Sequence, residues 1–150
     1  MKTNNLKMRN ALQLLLILFI SMFANAQTEL KEQRINDLPT INMSNGVNIH
    51  FISPEPVQFV DLSTYKMIGD LPSENIARVK ISDKNVNDSL NLKKKELTFY
   101  PGEDIGIITI VGQSFMAQYR AIYAQEGNKN IITNIQIQPE DMQPLEFPKT

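Results

Sequence analysis

His50 is the only histidine in the sequence, and cysteine is absent. Histidine and cysteine supply many of the nucleophiles, general bases and zinc ligands of enzymes. A single histidine excludes a metal site built on several histidines, and a Ser-His-Asp arrangement would depend on this one residue. No sequence motif pairs His50 with a nucleophile. We therefore predict that it is a partly exposed histidine on a β-strand.

Paired carboxylates are the other groups that could carry out catalysis. They occur in the sequence as Glu103 with Asp104 and as Glu140 with Asp141, and singly as Asp61, Asp70 and Glu74. Two carboxylates that face each other across a cleft can hydrolyse glycosides. Adjacent residues on a strand point to opposite faces, however, and both pairs lie among turn residues. We predict solvated or turn-capping roles for them.

Oxygen ligands for calcium occur at Asp83, Asn85, Asn87 and Asp88, within the segment SDKNVNDS. This segment has neither the central glycine nor the terminal glutamate of an EF-hand loop. We therefore predict no metal site. Because a glycine-rich phosphate loop is also missing from the sequence, we predict no cofactor and no enzymatic activity.

The first 26 residues have the pattern of a secretory signal peptide. Lys2, Lys7 and Arg9 precede an apolar run over residues 11–23, and Ala24 and Ala26 mark a cleavage site. The run spans roughly 20 Å as a helix, which is less than the hydrocarbon core of about 30 Å. We predict export, with no transmembrane segment after cleavage. Without cysteine the chain cannot be a lipoprotein.

The mature chain is acidic. Removal of the signal leaves 12 of the 15 basic residues against all 16 acidic ones, a formal charge of −4. Nucleic acid is therefore not expected as a direct ligand. One basic cluster remains, at Lys93, Lys94 and Lys95. It is typical of a solvated hairpin end or a protected sheet edge, and the alternative is contact with an acidic partner or with lipid headgroups.

Short apolar stretches separated by turn residues indicate a single all-β domain over residues 40–138. We predict eight or nine strands. They cover residues 47–52, 57–62, 65–68, 75–82, 90–93, 96–100, 105–111, 115–123 and 131–138. Residues 69–73 are predicted to form a loop. Ser44-Asn45-Gly46-Val47 predicts a type I′ hairpin, and Gly112-Gln113 predicts a type II′ hairpin.

Hairpins without crossover helices favour an antiparallel β-sandwich of immunoglobulin-like or related topology, and a small barrel is the alternative. Residues 27–39 are polar and predict a flexible leader. Residues 139–150 are rich in proline and predict an extended linker, outside helix or strand, that leads to a second domain absent from this sequence.

Two stretches resemble the TraN proteins of Bacteroides-type conjugative transposons. They are FISPEPVQFVDLSTYKMIGDLPSENIARVK, at residues 51–80, and IGIITIVGQSFMAQYRAIY, at residues 105–123. The residues that match the family pattern are Phe59, Val60, Asp61, Leu62, Asn75, Ile76, Arg78 and Val79. These are folding signals rather than catalytic motifs. Where the family pattern has VDLG, this sequence has Ser63 in place of the glycine.

The resemblance implies an exported structural subunit of a conjugative DNA-transfer apparatus, comparable to the β-sandwich subunit of the outer-membrane core in type IV secretion systems. It implies that this subunit lies in the periplasm or at the periplasmic face of the outer membrane. It implies that other subunits of the apparatus are the partners and that the protein acts by protein–protein assembly, as part of an oligomeric complex. It identifies no partner-binding residue. The alternative function is a free-standing secreted β-sandwich module that binds a glycan or a protein through its loops.

Overall fold

Short extended segments separated by turns make up residues 32–82 and 98–145, which are the parts of the chain that this computed structural model describes. These parts contain nine strands and two short 3-10 helices, at Ile35–Asp37 and Pro139–Asp141. The strands are β1 (Thr40–Met43), β2 (Ile49–Ile52), β3 (Phe59–Leu62), β4 (Met67–Ser73), β5 (Ile76–Ile81), β6 (Asp104–Val111), β7 (Phe115–Tyr123), β8 (Asn134–Gln136) and β9 (Met142–Pro144). The predicted all-β class is confirmed.

The strands form two sheets. One has the order β1-β7-β6-β3, with β9 also paired to β7, and the other has the order β4-β5-β2-β8. Both sheets are mixed, because β1 runs parallel to β7 and β8 runs parallel to β2. The prediction that all strands are antiparallel is therefore wrong. Parallel partners are distant in the sequence, so no turn residue marks their pairing.

The two sheets share one apolar core. Burial alternates without a break along β7 from Phe115 to Tyr123, as the sequence predicts, and along β5 it follows Ala77, Val79 and Ile81. Side chains from both sheets join a single buried cluster. The ring centroids of Phe51 on β2 and Tyr119 on β7 lie 5.0 Å apart, so this aromatic contact links the sheets directly.

The first predicted hairpin is wrong. A type I′ turn needs positive φ at both central residues, but here Gly46 has φ 72° and no described residue other than glycine has a positive φ. The Ser44 carbonyl accepts a hydrogen bond from the Val47 N–H at 3.3 Å. Positive φ at the third residue alone is typical of a type II turn. This turn carries the chain from β1 in one sheet to β2 in the other.

The second predicted hairpin is confirmed, but its turn type is not. β6 and β7 pair antiparallel up to Val111 and Met116. Gly112 then donates its N–H to the Phe115 carbonyl at 2.9 Å, so Gln113 and Ser114 are the central residues. Because Gly112 does not have the positive φ of a type II′ turn, its conformation does not require glycine.

Glu55 fastens a neighbouring loop to the tip of this hairpin. Its carboxylate accepts hydrogen bonds from the main-chain N–H of Ser114 at 2.6 Å and from the Ser114 hydroxyl at 2.8 Å. The main-chain hydrogen bond is the largest cause of a lowered pKa for the Glu55 carboxyl, with the hydroxyl adding to it. The contact ties the proline-containing loop after β2 to the β6–β7 turn, and we call it the Glu55 clip.

The Glu55 clip should make the stability of the fold depend on pH. A carboxyl whose pKa is lower in the folded state stabilises the fold above its unfolded-state value, ordinarily 4.5, and this contribution is lost as pH falls through the folded-state pKa. We expect Glu55→Gln to have a lower melting temperature than the wild-type chain at neutral pH, with the difference shrinking as the pH falls below that unfolded-state value. A difference that stays constant with pH would show that the charge of Glu55 contributes nothing.

The segment between β3 and β5 is more regular than predicted. Residues 69–73, predicted as a loop, belong to β4, which begins at Met67 rather than at Tyr65. The pairing of β4 with β5 shifts register between Asp70 and Ser73, around Pro72. Proline is tolerated there because β4 is an edge strand, where a missing N–H breaks no ladder. The loop prediction is wrong for this reason.

The folded part extends past both predicted boundaries. Leu38 is buried, and the carbonyl of Pro39 accepts a hydrogen bond from the N–H of Arg120 at 2.8 Å. At the other end, the predicted linker is wrong for residues 139–144, because β9 pairs with β7 and Leu145 donates its N–H to the Ser114 carbonyl at 2.9 Å. Residues 98–100 form no strand. The predicted signal and the remaining predicted strand residues, 90–97, lie outside the described residues.

No helix within residues 32–82 and 98–145 has the length and apolar character needed to cross a membrane.

Candidate functional site

A groove of about 280 Å³ lies between the two sheets, at the side where β1 and β8 are the edge strands. We call it the edge groove. It is lined by Pro39, Thr40, Ile41, Asn42, Tyr119, Asn130, Ile132, Ile135, Gln136, Gln138 and Asp141. Most of these side chains are apolar or carry neutral amides. The groove therefore combines two strand edges with a mixed floor of apolar and amide groups.

The edge groove exists because two strands share one edge of β7. β9 pairs with the first part of β7, up to Ala117, and β1 pairs with the last part, from Arg120. Gln118 and Tyr119 lie between these two pairings. The 3-10 helix Pro139–Asp141 carries the chain from β8 in one sheet to β9 in the other across this interval. The groove thus opens where the first strand leaves the sheet and the last strand enters it.

Tyr119 and Asp141 fix the base of the groove. Tyr119 is 1% exposed and donates its hydroxyl hydrogen to Asp141 Oδ2 at 3.2 Å. Burial and the adjacent Asp141 carboxylate raise the pKa of the Tyr119 hydroxyl, so the phenol stays protonated and remains a donor. A tyrosine held protonated in this way is not a nucleophile. The pair positions the 3-10 helix against β7, and Glu140 beside it is exposed.

The single histidine lies on the outer face of the other sheet. His50 is half-buried on β2, opposite Arg78 on β5 and Asn134 on β8. Arg78 forms an ion pair with Asp70 on β4, with Nε 2.8 Å from Oδ1. The Arg78 guanidinium, through its hydrogen bond, lowers the pKa of the Asp70 carboxyl. A shallow depression of about 270 Å³ runs along this pair and includes Lys80.

The other predicted carboxylates lie on different elements and have different partners. Glu103 caps a turn, as predicted: its carboxylate accepts the Tyr100 N–H at 3.1 Å and pairs with Lys66 at 2.9 Å. Its neighbour Asp104 is instead the first residue of β6 and pairs with Arg120 at 2.7 Å. Asp61 and Glu74 are exposed on β3 and in the β4–β5 turn.

The residues of the family resemblance do not form one site. On β3, Phe59 is 53% exposed and Asp61 is exposed, whereas Val60 and Leu62 pack against the core. The remaining ones are Asn75, whose amide donates to the Ser53 carbonyl at 3.3 Å, Ile76, which is half-buried at the start of β5, Arg78, which pairs with Asp70, and Val79, which is fully buried. They hold strands and turns in place.

Two of the predicted clusters cannot be located. Asp83, Asn85, Asn87 and Asp88, and the lysines at positions 93–95, lie outside the described residues. Within the described parts of the chain, no group of three or more histidine, aspartate or glutamate side chains is placed to hold a metal ion. No family model matches the sequence, and neither does any curated protein.

Sequence reasoning did not predict the edge groove. Tyr119 fits the alternation of β7 and so indicates only a core position, and Asn130, Gln136 and Gln138 are ordinary loop and edge residues by type. The signal that points to the groove is the short β8 followed by Pro139, which allows the chain to leave one sheet for the other. The sequence pattern instead predicts the start of a linker there.

Proposed function

We propose that this chain is a structural subunit of a conjugative DNA-transfer apparatus related to type IV secretion, and that it acts in the cell envelope by binding other subunits. The observation that carries an assembly role is the edge groove, where two strand edges face a cavity. Free strand edges let a protein bind another chain through its main chain, without any catalytic residue. The resemblance to TraN proteins over residues 51–80 and 105–123 supports the conjugative setting.

The proposed architecture is a β-sandwich with an immunoglobulin-like strand order. In immunoglobulin domains the second, fourth and fifth strands belong to one sheet, and the third, sixth and seventh belong to the other. Here β4, β5 and β2 are adjacent in one sheet, and β7, β6 and β3 are adjacent in the other. The aromatic contact of Phe51 with Tyr119 and the single core cluster support face-to-face packing. Such domains serve mainly as scaffolds for binding surfaces.

The proposed location is the periplasm or the periplasmic face of the outer membrane. The basic residues, apolar run and alanine site within residues 1–26 support it. The proposed partners are therefore envelope subunits of the same apparatus. Because the mature chain has a formal charge of −4, direct contact with the transferred DNA is not part of the proposal.

Deletion of the gene from a donor strain tests this function. We expect transfer of the conjugative element to fall to background while donor growth is unchanged. Expression of the wild-type chain should restore transfer. A matched variant, Leu16→Arg, should fail to restore it, because a charge in the apolar run blocks export and leaves the mature sequence unaltered. Normal transfer frequency from the deletion strain would contradict the proposed function.

A further inference from the structure

We infer that the edge groove binds an extended segment of a partner protein, which pairs with β1 by main-chain hydrogen bonds and extends its sheet. The inference rests on the proposed function, since it states what the assembly surface binds. It identifies the partner by chemistry: an unstructured or edge segment with apolar side chains at alternate positions.

The main chain of β1 is oriented for such pairing. The carbonyls of Pro39 and Met43 accept hydrogen bonds from Arg120 and Ala124 at 2.8 and 2.7 Å, so alternate residues of β1 face β7. In a parallel ladder the residues between them direct both their N–H and C=O groups to the opposite side. Those residues are Thr40 and Asn42, which are exposed and line the groove.

The main chain of β8, on the other side of the groove, is oriented in the same way. On β8, the Thr133 carbonyl and the Ile137 N–H bond to β2 at 2.7 and 3.0 Å, so Asn134 and Gln136 direct their main-chain groups away from β2. The Gln136 carbonyl accepts a hydrogen bond from the Gln138 side chain at 3.1 Å. Side-chain amides thus take up main-chain hydrogen bonds in this groove, and they can do the same for a bound segment.

Charge also favours a neutral polypeptide. Among the described residues, Asp141 is the only acidic one that lines the groove and no basic one lines it, and the Asp141 carboxylate is engaged by Tyr119. A neutral, amide-rich lining complements main-chain N–H and C=O groups and offers nothing to balance a charged ligand. Ile132, which is 68% exposed, and Ile135 provide an apolar surface for the inward side chains of an added strand.

The other sheet edges carry features that discourage pairing. β4 contains Pro72 and a register shift, β9 ends at Pro144, and β3 exposes the charge of Asp61. Proline, irregular register and charge are the usual means by which edge strands are protected. β1 and β8, with the sequences TINM and NIQ, have neither proline nor a charged residue. Of the edges in the described chain, these two are the ones left open to a partner strand.

Cysteine labelling tests the inference, because the natural chain has no cysteine. Gln136→Cys places one thiol on β8 at the rim of the groove, and Glu74→Cys places a control thiol in the exposed β4–β5 turn. We expect a maleimide to label Gln136→Cys readily in the purified mature chain but poorly in envelopes of producing cells. The control should be labelled equally in both. Equal labelling of Gln136→Cys in both preparations would overturn the inference.

A matched pair of substitutions identifies the occupant. Asn42→Ala removes the side-chain amide and keeps the main-chain N–H, whereas Asn42→Pro removes that N–H and leaves the bonds to β7 intact. We expect protection of Gln136→Cys to survive Asn42→Ala and to be lost in Asn42→Pro. Protection that survives Asn42→Pro overturns main-chain pairing. Protection lost in Asn42→Ala points instead to a ligand held by the amide, such as a glycan, and also overturns it.

A second pair of variants keeps the test decisive, and its outcome is independent of the test of the proposed function. If Asn42→Pro lowers the melting temperature of the purified chain, Thr40→Ala and Thr40→Pro form a second pair, since Thr40 also faces outward. Labelling is measured without a mating assay. The deletion strain could transfer the element normally while Gln136→Cys is protected in the Asn42→Ala background but not in Asn42→Pro. That combination would refute the proposed function and leave this inference standing.

Discussion

Replacing Phe51 with alanine should lower the free energy of unfolding by about 3–5 kcal/mol, the usual cost of removing a fully buried aromatic side chain. Phe51 is 0% exposed and packs on Tyr119 of the opposite sheet, so the substitution opens a cavity between the sheets. The effect is measured by urea unfolding, followed by tyrosine fluorescence and by circular dichroism. Because both sheets contribute to one core, the two signals should change together.

Phe59→Ala provides the matched control for this prediction. The same atoms are removed, but Phe59 is 53% exposed on the edge strand β3. We expect a loss of about 1 kcal/mol at most. Equal losses for the two variants, or separate transitions for the two signals, would contradict a core shared by both sheets.

Gly112→Ala should destabilise the chain by about 1–3 kcal/mol, as overpacking of a close contact does. An ideal Cβ at this position lies 2.5 Å from Glu55 Oε1 and 2.8 Å from Phe115 Cε1. The Glu55 carboxylate can move away at the expense of the Glu55 clip, but the ring of Phe115 is buried. Equilibrium unfolding of the purified chain measures the loss.

A double-mutant cycle separates the two contacts. Glu55→Ala removes both the clip and one of the two clashes, so the cost of Gly112→Ala should be smaller in the Glu55→Ala background than in the wild-type chain. The remaining cost reports the contact with Phe115. If the two substitutions were strictly additive, the close approach of Glu55 to Gly112 would be refuted.

Local sequence patterns correctly predicted the strands that have one face buried in the core and the other facing outward. The alternation of residues 115–123 gives β7 with its correct limits and buried face, and the alternation around Val79 gives β5. Both strands lie inside their sheets, where one face packs on the core. Burial of one face fixes the register strongly, so the sequence of such strands is constrained.

Edges and long-range pairings could not be predicted in the same way. Asn45-Gly46 is a strong local signal for a hairpin, but β1 pairs with β7 and not with β2. Pro72 and Pro144 exclude a central strand, yet an edge strand tolerates both. The edge groove depends on these parts of the chain. Its position therefore depends on tertiary pairing, which the local sequence patterns did not predict.

The pairing of β1 with β7 also has a consequence for the order of folding. Thr40 pairs with Arg120, so this contact closes a loop that contains most of the described chain. Contacts between residues so far apart in sequence form late and slow the folding of β-rich domains. Under the export that we propose, the chain cannot complete this sheet until β7 has also emerged from the membrane. In that case the edge groove, which lies beside β1, would form only after the chain has crossed.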